Sequence, residues 1–507
     1  MKNTLATLAF FLFLQISFAQ KEDNTWILGY NPRYTATSKT LGDTFGNVVM
    51  KFGKTGITFK EDDNLKMDFY GQNASISDKQ GGFLFCVDGL SINNAKGEVL
   101  NNGDSLFTSF LPQTAMILPQ PGFDEKYYYV LLAEADNLVD KTGFVYDLAI
   151  VKLYYNIVEW DKVKNTGKII KRQALLLQDT LDSKIMACRH GNGRDWWIVI
   201  TKYYTNNIYK FLLTPQGIKL HSKQTIGKKT YSGLGQSVFS PDGKWFANYS
   251  TVGANKINQV IDLYNFDRCT GLLSNHQQVF IDYWAKAGGI AISPNSRYLY
   301  IAAHEVLYQA DLQKPFTLNN LEPIASWEGS FLPFATTFWM MQLAPDNKIY
   351  INISNGVKTL HVIEDPNKAV TDCKFEQNAI TLPVRNITMP NFPYFRLYDW
   401  QGSPCDTLGI NGATSSTNIG QNDMLNIKVF PNPANSDISI KLPVLEYKKG
   451  IFRLYDTQGN LAATYPLLQN HDEYRFDISN LANGMYFWHL VLDDKVRQTG
   501  KVVVMKE

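Results

Sequence analysis

The sequence predicts an all-β chain: a β-propeller of seven blades, with six or eight as alternatives, followed by a small Ig-like β-sandwich. Three observations carry this. The stretch Ser240-Pro241-Asp242-Gly243-Lys244-Trp245-Phe246-Ala247 recurs as Ser293-Pro294-Asn295-Ser296-Arg297-Tyr298-Leu299-Tyr300 and as Ala344-Pro345-Asp346-Asn347-Lys348-Ile349-Tyr350-Ile351. Each copy follows a short apolar run, so the form is strand, tight turn, strand; proline presets φ at the second turn position, and Asp, Asn and Gly tolerate the rest. The copies are spaced by 53 and 51 residues, from Ser240 to Ser293 to Ala344, and a period near 50 built from short strands is the mark of propeller blades. No window holds an apolar i, i+3, i+4, i+7 pattern over three turns, which leaves little room for helices.

The 507 residues have room for one large domain and a smaller one. Aromatics make up 13% and charged residues 19%, a composition that packs a core and argues against global disorder. Basic and acidic residues nearly cancel, 49 against 47. No basic field exists to attract nucleic acid or an anionic membrane.

The first 19 residues read as a cleaved signal peptide: Lys2, an apolar run from Leu5 to Phe13, and the small-x-small site Ser17-Phe18-Ala19. Cleavage is expected between Ala19 and Gln20. The apolar run falls short of the ~20 residues a membrane span needs. No later stretch is long and apolar enough, so no integral membrane segment is expected after cleavage.

The blades follow in order. Turns near 78, 122, 192, 242, 295 and 346 give six. The N-terminal strands, beginning at Thr25-Trp26-Ile27-Leu28-Gly29-Tyr30, and a late strand around Tyr394-Phe395-Arg396-Leu397 are expected to close the seventh, which removes exposed sheet edges. The propeller is assigned to 20–400. Residues 401–424, rich in Gly, Ser, Thr and Asn without apolar periodicity, read as a linker. Residues 425–507 hold seven short strand candidates, from Ile427-Lys428-Val429-Phe430 to Lys501-Val502-Val503-Val504-Met505, the count of an Ig-like sandwich.

The mature chain has five cysteines, an odd number, so at least one is free or pairs between chains. Cys373 and Cys405 flank the last propeller strands, and a disulfide between them is expected to staple the end of the body. Cys86 reads as a small buried hydrophobe. No Cys/His spacing resembles a metal site, and no cofactor is expected.

The repeated turn resembles the blades of WD40-like and YVTN-type propellers. From Ser77 to Pro393 the chain also resembles a propeller family of secreted Bacteroidetes proteins, through Ser77-Asp78 with Val87-Asp88-Gly89, His190-Gly191-Asn192-Gly193-Arg194-Asp195-Trp196-Trp197, Phe266-Asp267-Arg268-Cys269-Thr270-Gly271 and Met389-Pro390-Asn391-Phe392-Pro393. That resemblance implies no catalytic residues. The C-terminal module is similar to the type A sorting domain of the type IX secretion system, through Val429-Phe430-Pro431-Asn432-Pro433-Ala434, Leu454-Tyr455-Asp456 with Gly459, Leu481-Ala482-Asn483-Gly484-Met485-Tyr486 and Lys501-Val502-Val503-Val504-Met505-Lys506. This resemblance implies a Bacteroidetes-type bacterium, handling by the type IX machinery, and delivery outside the cell or to its surface.

Candidate site residues come from the loops leading into each inner strand and from those joining second and third strands, which line one face of a propeller channel. These give Tyr231, Tyr283, Trp284, Phe331, Phe334, Phe338 and Trp339, with His304 and Glu305 beside them. Aromatics on a concave face suit a sugar ring or a peptide; packed between blades they are core. The cluster His190–Trp197 reads either as a His/Arg/Asp site or as a turn pinned by an Arg194–Asp195 bond. No G-x-S-x-G elbow, H-E-x-x-H, P-loop or calcium loop occurs. Asp406-Thr407-Leu408 resembles a Bacteroidetes O-glycosylation acceptor, with Thr407 in the linker. The expected function is a secreted or surface protein that binds a polysaccharide or protein through the propeller face; the alternative is a polysaccharide hydrolase or lyase with its site in the channel.

Overall fold

The computed structural model describes residues 20–30, 45–62, 64–69, 71–106, 109, 111–123, 125–229, 234–252, 258–282, 288–408, 428–442, 447, 449–456, 461–468, 471, 473–493 and 495–506. The chain forms two compact units, 1–413 and 414–507.

The first unit is a ring of seven antiparallel sheets, here blades 1 to 7. Blade 1 is Thr25–Tyr30, Gly46–Gly53 and Gly56–Glu61. Blade 2 is Ala74–Ser77, Phe83–Val87 and Ile92–Asn94. Blade 3 is Ala115–Pro119, Tyr127–Val139, Val145–Asp161 and Thr166–Leu181. Blade 4 is Met186–Arg189, Trp196–Thr201, Asn207–Thr214 and Gly217–Thr225. Blade 5 is Gly235–Phe239, Trp245–Val252, Asn258–Phe266 and Leu273–Ile281. Blade 6 is Gly289–Ile292, Tyr298–Ala303, Val306–Asp311 and Leu321–Ser326. Blade 7 is Met341–Leu343, Ile349–Ile351, Val357–Ile363 and Phe375–Asn386. Each pairs in chain order, a plain meander. The only described helices are two short 3-10 turns, Leu318–Asn320 and Val370–Cys373.

The repeated turn works as its chemistry predicts. Ser240 Oγ accepts the Trp245 N–H (3.0 Å) and donates to Asp242 Oδ1 (2.6 Å), which accepts the Lys244 N–H (3.0 Å). Ser293 and Asn295 repeat this pattern. Ala344 lacks the hydroxyl, and there Asp346 alone accepts the Lys348 N–H. The fourth turn residue is left-handed in all three, filled by Gly243 (φ 71°), Ser296 (60°) and Asn347 (65°); only glycine takes that region without steric cost. We call the end of the ring bearing these turns the lower face, and the opposite end the upper face.

The second strands are paired on both edges and covered on both faces, so Trp196–Thr201 and Tyr298–Ala303 are buried throughout. Outer strands such as Gly217–Thr225 are largely solvated. Innermost strands have no neighbour on the axis side, and amide side chains take up their backbone groups. Gln113 Nε2 donates to Ser237 O (3.0 Å), and its Oε1 accepts the Ser237 N–H (2.7 Å). Gln236 Oε1 accepts the N–H groups of Ile290 (3.2 Å) and Met341 (3.0 Å), tying blades 5, 6 and 7.

Closure differs from the expectation. The N-terminal strands do form a blade, but Tyr394-Phe395-Arg396-Leu397 is not a strand. Residues 387–396 instead run antiparallel beside Thr25–Tyr30: Ile387 N–H donates to Gly29 O (3.3 Å), and Arg396 pairs with buried Asp23 through three bonds of 2.7–2.8 Å. Pro390 and Pro393 lack the N–H a ladder requires, so side chains replace it. Asn386 Oδ1 accepts the Gly29 N–H (2.9 Å). Asn391 Nδ2 donates to Ala115 O (3.0 Å) and Ile185 O (3.1 Å), and Asn391 Oδ1 accepts from Gln113 Nε2 (3.1 Å). The tail thus occupies the axial position of blade 1, and the Trp26 ring packs on Tyr350 of blade 7 and Phe392 of the tail.

The tail leaves on the lower face. Arg268 donates to Arg189 O (2.9 Å), His190 O (3.2 Å) and Tyr398 O, and Trp400 N–H donates to Gly191 O (2.7 Å). The disulfide follows: it joins Cys269 to Cys405, not Cys373 to Cys405. Cys373 is buried and free under blade 7. Cys269 sits in the lower-face turn of blade 5, where the tail crosses. Gly191 lies beneath the bridge, and any side chain there would run into Cys405 Sγ.

The second unit packs a three-stranded sheet (Lys428–Phe430, Asp437–Lys441, Glu473–Asp477) on a four-stranded one (Leu461–Leu467, Gly450–Tyr455, Gly484–Leu492, Lys495–Val504). Its core stacks Phe452 on Phe476 (5.5 Å) and on Trp488 (5.6 Å). Among the described residues no helix is long and apolar enough to cross a membrane.

Candidate functional site

On the upper face, two loops meet between blades 6 and 7. His304 and Glu305 turn the chain between Tyr298–Ala303 and Val306–Asp311, and both are half-buried. His304 O accepts the Phe338 N–H (2.7 Å), which joins this turn to the segment leading into blade 7. Phe338 is 1% exposed, its ring edge-on to His361 (5.0 Å) and Phe375 (5.3 Å). Trp339 is 6% exposed, and its indole N–H is buried with no partner among the described residues. Phe338 fills the gap between blades 6 and 7, and Trp339 packs in the large core cluster with Tyr350 and Leu360 of blade 7; neither is offered to a ligand as the sequence led us to expect. Burial pushes the His361 imidazole down to about 4, so it is neutral at pH 7 and accepts the Asn378 N–H (3.0 Å). Tyr231, Tyr283, Trp284 and Ala19 lie outside the described residues.

The residues that face solvent are three earlier in the same loop. Phe331, Leu332 and Phe334 are 65%, 50% and 50% exposed. The loop is nonetheless fixed. Phe331 bridges Ala335, and Leu332 N–H donates to Phe334 O (3.0 Å). Trp327 Nε1 donates to Thr336 Oγ1 (3.1 Å), which also meets Ser330 Oγ (2.6 Å). Asn355 Nδ2 donates to Ala335 O (2.7 Å), and Asn378 Nδ2 donates to Glu328 Oε1 (2.6 Å). Arg385, at the end of blade 7, donates to Gly356 O (3.1 Å) and lies 5.3 Å from the Phe334 ring and 5.5 Å from Phe45. The product is a pinned apolar tip, with nearby polar groups engaged in holding it. Arg385 and the pinning amides carry no motif; only their neighbourhood in space reveals them.

On the lower face, the His190–Trp197 cluster is structural. Arg194 holds Asp195 through two bonds (2.7 and 3.1 Å), and Asn192 Nδ2 donates to Asp195 (2.9 Å). Trp196 and Trp197 are buried, the Arg189 guanidinium lying 3.8 Å from the Trp196 ring. Burial holds His190 below its ordinary pKa. Asp399 is pushed up to about 6 by burial and by neighbouring Asp406. Thr407 is exposed two residues beyond the bridged Cys405. Among the described residues no group of three or more His, Cys, Asp or Glu side chains is placed to hold a metal.

Fold and site together define a β-propeller with its axis occupied by its own tail, carrying a small β-sandwich after it. Residues 428–505 match the family of secretion system C-terminal sorting domains. That domain marks the chain for export by type IX secretion to the cell surface or extracellular space. No curated protein matches the sequence significantly. Solved structures similar to the chain include a 6-phosphogluconolactonase-like protein from Bacteroides uniformis (13% identity, 72% of this chain and 98% of that one, TM-score 0.34). Another is a quinonprotein alcohol dehydrogenase-like protein from Bacteroides thetaiotaomicron (12% identity, 67% and 81%, TM-score 0.27). A third is the extracellular domain of a one-component system from the same organism (11% identity, 91% and 73%, TM-score 0.28).

Proposed function

We propose that the chain is a secreted or surface-attached binding protein, delivered by the type IX machinery after removal of residues 1–19, that recognises a polysaccharide or protein ligand through the upper face of its propeller. The observation that carries this reading is the pinned tip of Phe331, Leu332 and Phe334. Exposed aromatic and aliphatic side chains held in one geometry bind with little ordering cost. Large apolar groups left in water on a rigid loop commonly mark an interaction site. Because the polar neighbours are already bonded to one another, the tip suits an apolar pocket in a protein better than the many hydroxyls of a sugar.

The test is a ligand screen of the mature chain, by thermal shift against polysaccharides and by capture of proteins from the native cell surface. The partner found should lose at least about tenfold in affinity when Phe331→Ser and Phe334→Ser are combined, while the melting temperature holds. Equal binding by the variant would overturn the reading. Asp406-Thr407-Leu408 remains a proposed O-glycosylation site, checked by the mass of its peptide from the native host.

A further inference from the structure

A second site lies on the lower side of blade 3, away from the upper-face tip. The turn after Val145–Asp161 reads Lys162-Val163-Lys164-Asn165-Thr166-Gly167-Lys168. Asp161 Oδ1 accepts the N–H groups of Val163 and Lys164 (3.0 Å each), and Asn165 takes a left-handed φ of 50°. This fixes the turn and sends three lysines toward one side. Gly167 lies flat against Trp160, where a Cβ would come 2.8 Å from the indole Cε3. Trp160 N–H donates to Lys126 O (2.8 Å), which brings a fourth lysine to the same place.

Between them is a cavity of about 870 Å³, which Trp160, Asn101 and Thr166 also line. Four lysines line it, against the carboxylates of Glu159 and Asp161. Glu159 is shared by Lys168 (3.0 Å) and Lys126 (3.8 Å), Lys164 meets Asp161 (3.8 Å), and Lys162 pairs with Glu125 behind the wall (3.0 Å). Four ammonium groups therefore face three carboxylates. The lysine side chains are all more than half exposed, so these pairs are weak and readily exchanged for another oxyanion. A cavity of this volume falls in the range that holds ligands far larger than an inorganic ion. The Asn101 amide and Thr166 hydroxyl add groups that bond to sugar hydroxyls.

We propose that this cavity binds an oxyanion-bearing saccharide, a uronate- or sulfate-carrying oligosaccharide. The site is separate from the upper-face tip, and of the proposed function the inference uses only that the chain is exported. The test is calorimetric titration of the mature full-length chain with oligogalacturonate, with a sulfated oligosaccharide, and with a neutral oligosaccharide of equal length. Titrations at about 50 mM and about 300 mM salt read the charge dependence. One or both acidic ligands should bind and the neutral one should not, and which acidic ligand binds separates uronate from sulfate. Lys162→Gln with Lys168→Gln should weaken binding about tenfold or more. Lys219→Gln with Lys223→Gln, on the outer strand of blade 4, should leave it unchanged, as should Phe331→Ser with Phe334→Ser. The inference is overturned if neither acidic ligand binds, if the neutral one binds equally, if the cavity variant keeps full affinity, or if the blade 4 variant loses as much.

Discussion

Cys405→Ser should cost the propeller several kcal/mol, and the size follows from chain length. The bridge closes a loop of 136 residues between Cys269 and Cys405. In the chain-entropy treatment a loop of that length removes about 17 cal/mol/K from the unfolded ensemble, or about 5 kcal/mol at 25 °C. The folded state adds a local term. Without the bridge the tail is still held by Arg268 to Tyr398 O, by Trp400 to Gly191 O, and by the buried Arg396–Asp23 pair. The variant should therefore fold with its tail in place, at lower stability. The assay is urea denaturation of the mature chain without reductant, following the propeller transition in wild type, Cys405→Ser and Cys373→Ala. Cys405→Ser should lower the stability by about 3–5 kcal/mol, and Cys373→Ala, which removes only a small buried side chain, by no more than about 1.5 kcal/mol. An unchanged midpoint for Cys405→Ser would refute the reasoning, as would a larger loss for Cys373→Ala.

Asn391→Ala should destabilise the propeller by about 2–4 kcal/mol, because Ala115 O, Ile185 O and the Gln113 amide all lose a buried partner; a loss under about 0.5 kcal/mol would show that the axial bonds are dispensable. Glu22 predicts a pH dependence. Burial pushes its carboxyl from the ordinary 4.5 up to about 7, against the pull of Arg189. The folded protein thus holds a proton that the unfolded chain gives up, so this contribution is complete below pH 4.5 and is lost as pH rises to about 7, a change on the order of 3 kcal/mol. Glu22→Gln should flatten that slope in urea midpoints measured across the range, and an identical slope in the variant would contradict the assignment. Phe331→Ser with Phe334→Ser should change stability little, since each residue is at least half exposed; a large fall in melting temperature would mean the loop is part of the core.

The repeat that made the propeller legible is local chemistry. Ser240, Pro241, Asp242 and Gly243 satisfy their own turn, so their role can be read from the four residues alone. The sorting domain was legible for the same reason: its motifs and strand spacing are short-range. What escaped the sequence is long-range. Met389-Pro390-Asn391-Phe392-Pro393 stood out as a motif, yet that Asn391 bonds two blades at the axis depends on partners 276 and 206 residues away. The cysteine pairing failed likewise. Cys373 and Cys405 are close in sequence, but the tail crosses beneath blade 5 before it reaches Cys405, which puts Cys269 opposite. Among the loop aromatics, Phe338 and Trp339 face inward and Phe331 and Phe334 outward. The sequence grouped all four, because alternation in an irregular loop has no period to follow.

The central proposal is that this exported propeller recognises its ligand at the pinned tip on the upper face, with its own tail running along the axis. The most direct measurement is the affinity of the mature chain for the ligand found in the screen, wild type against the Phe331→Ser, Phe334→Ser variant, with melting curves for both. A loss of about tenfold or more at unchanged melting temperature is the predicted result. Equal affinity would contradict the claim and move recognition to another part of the propeller.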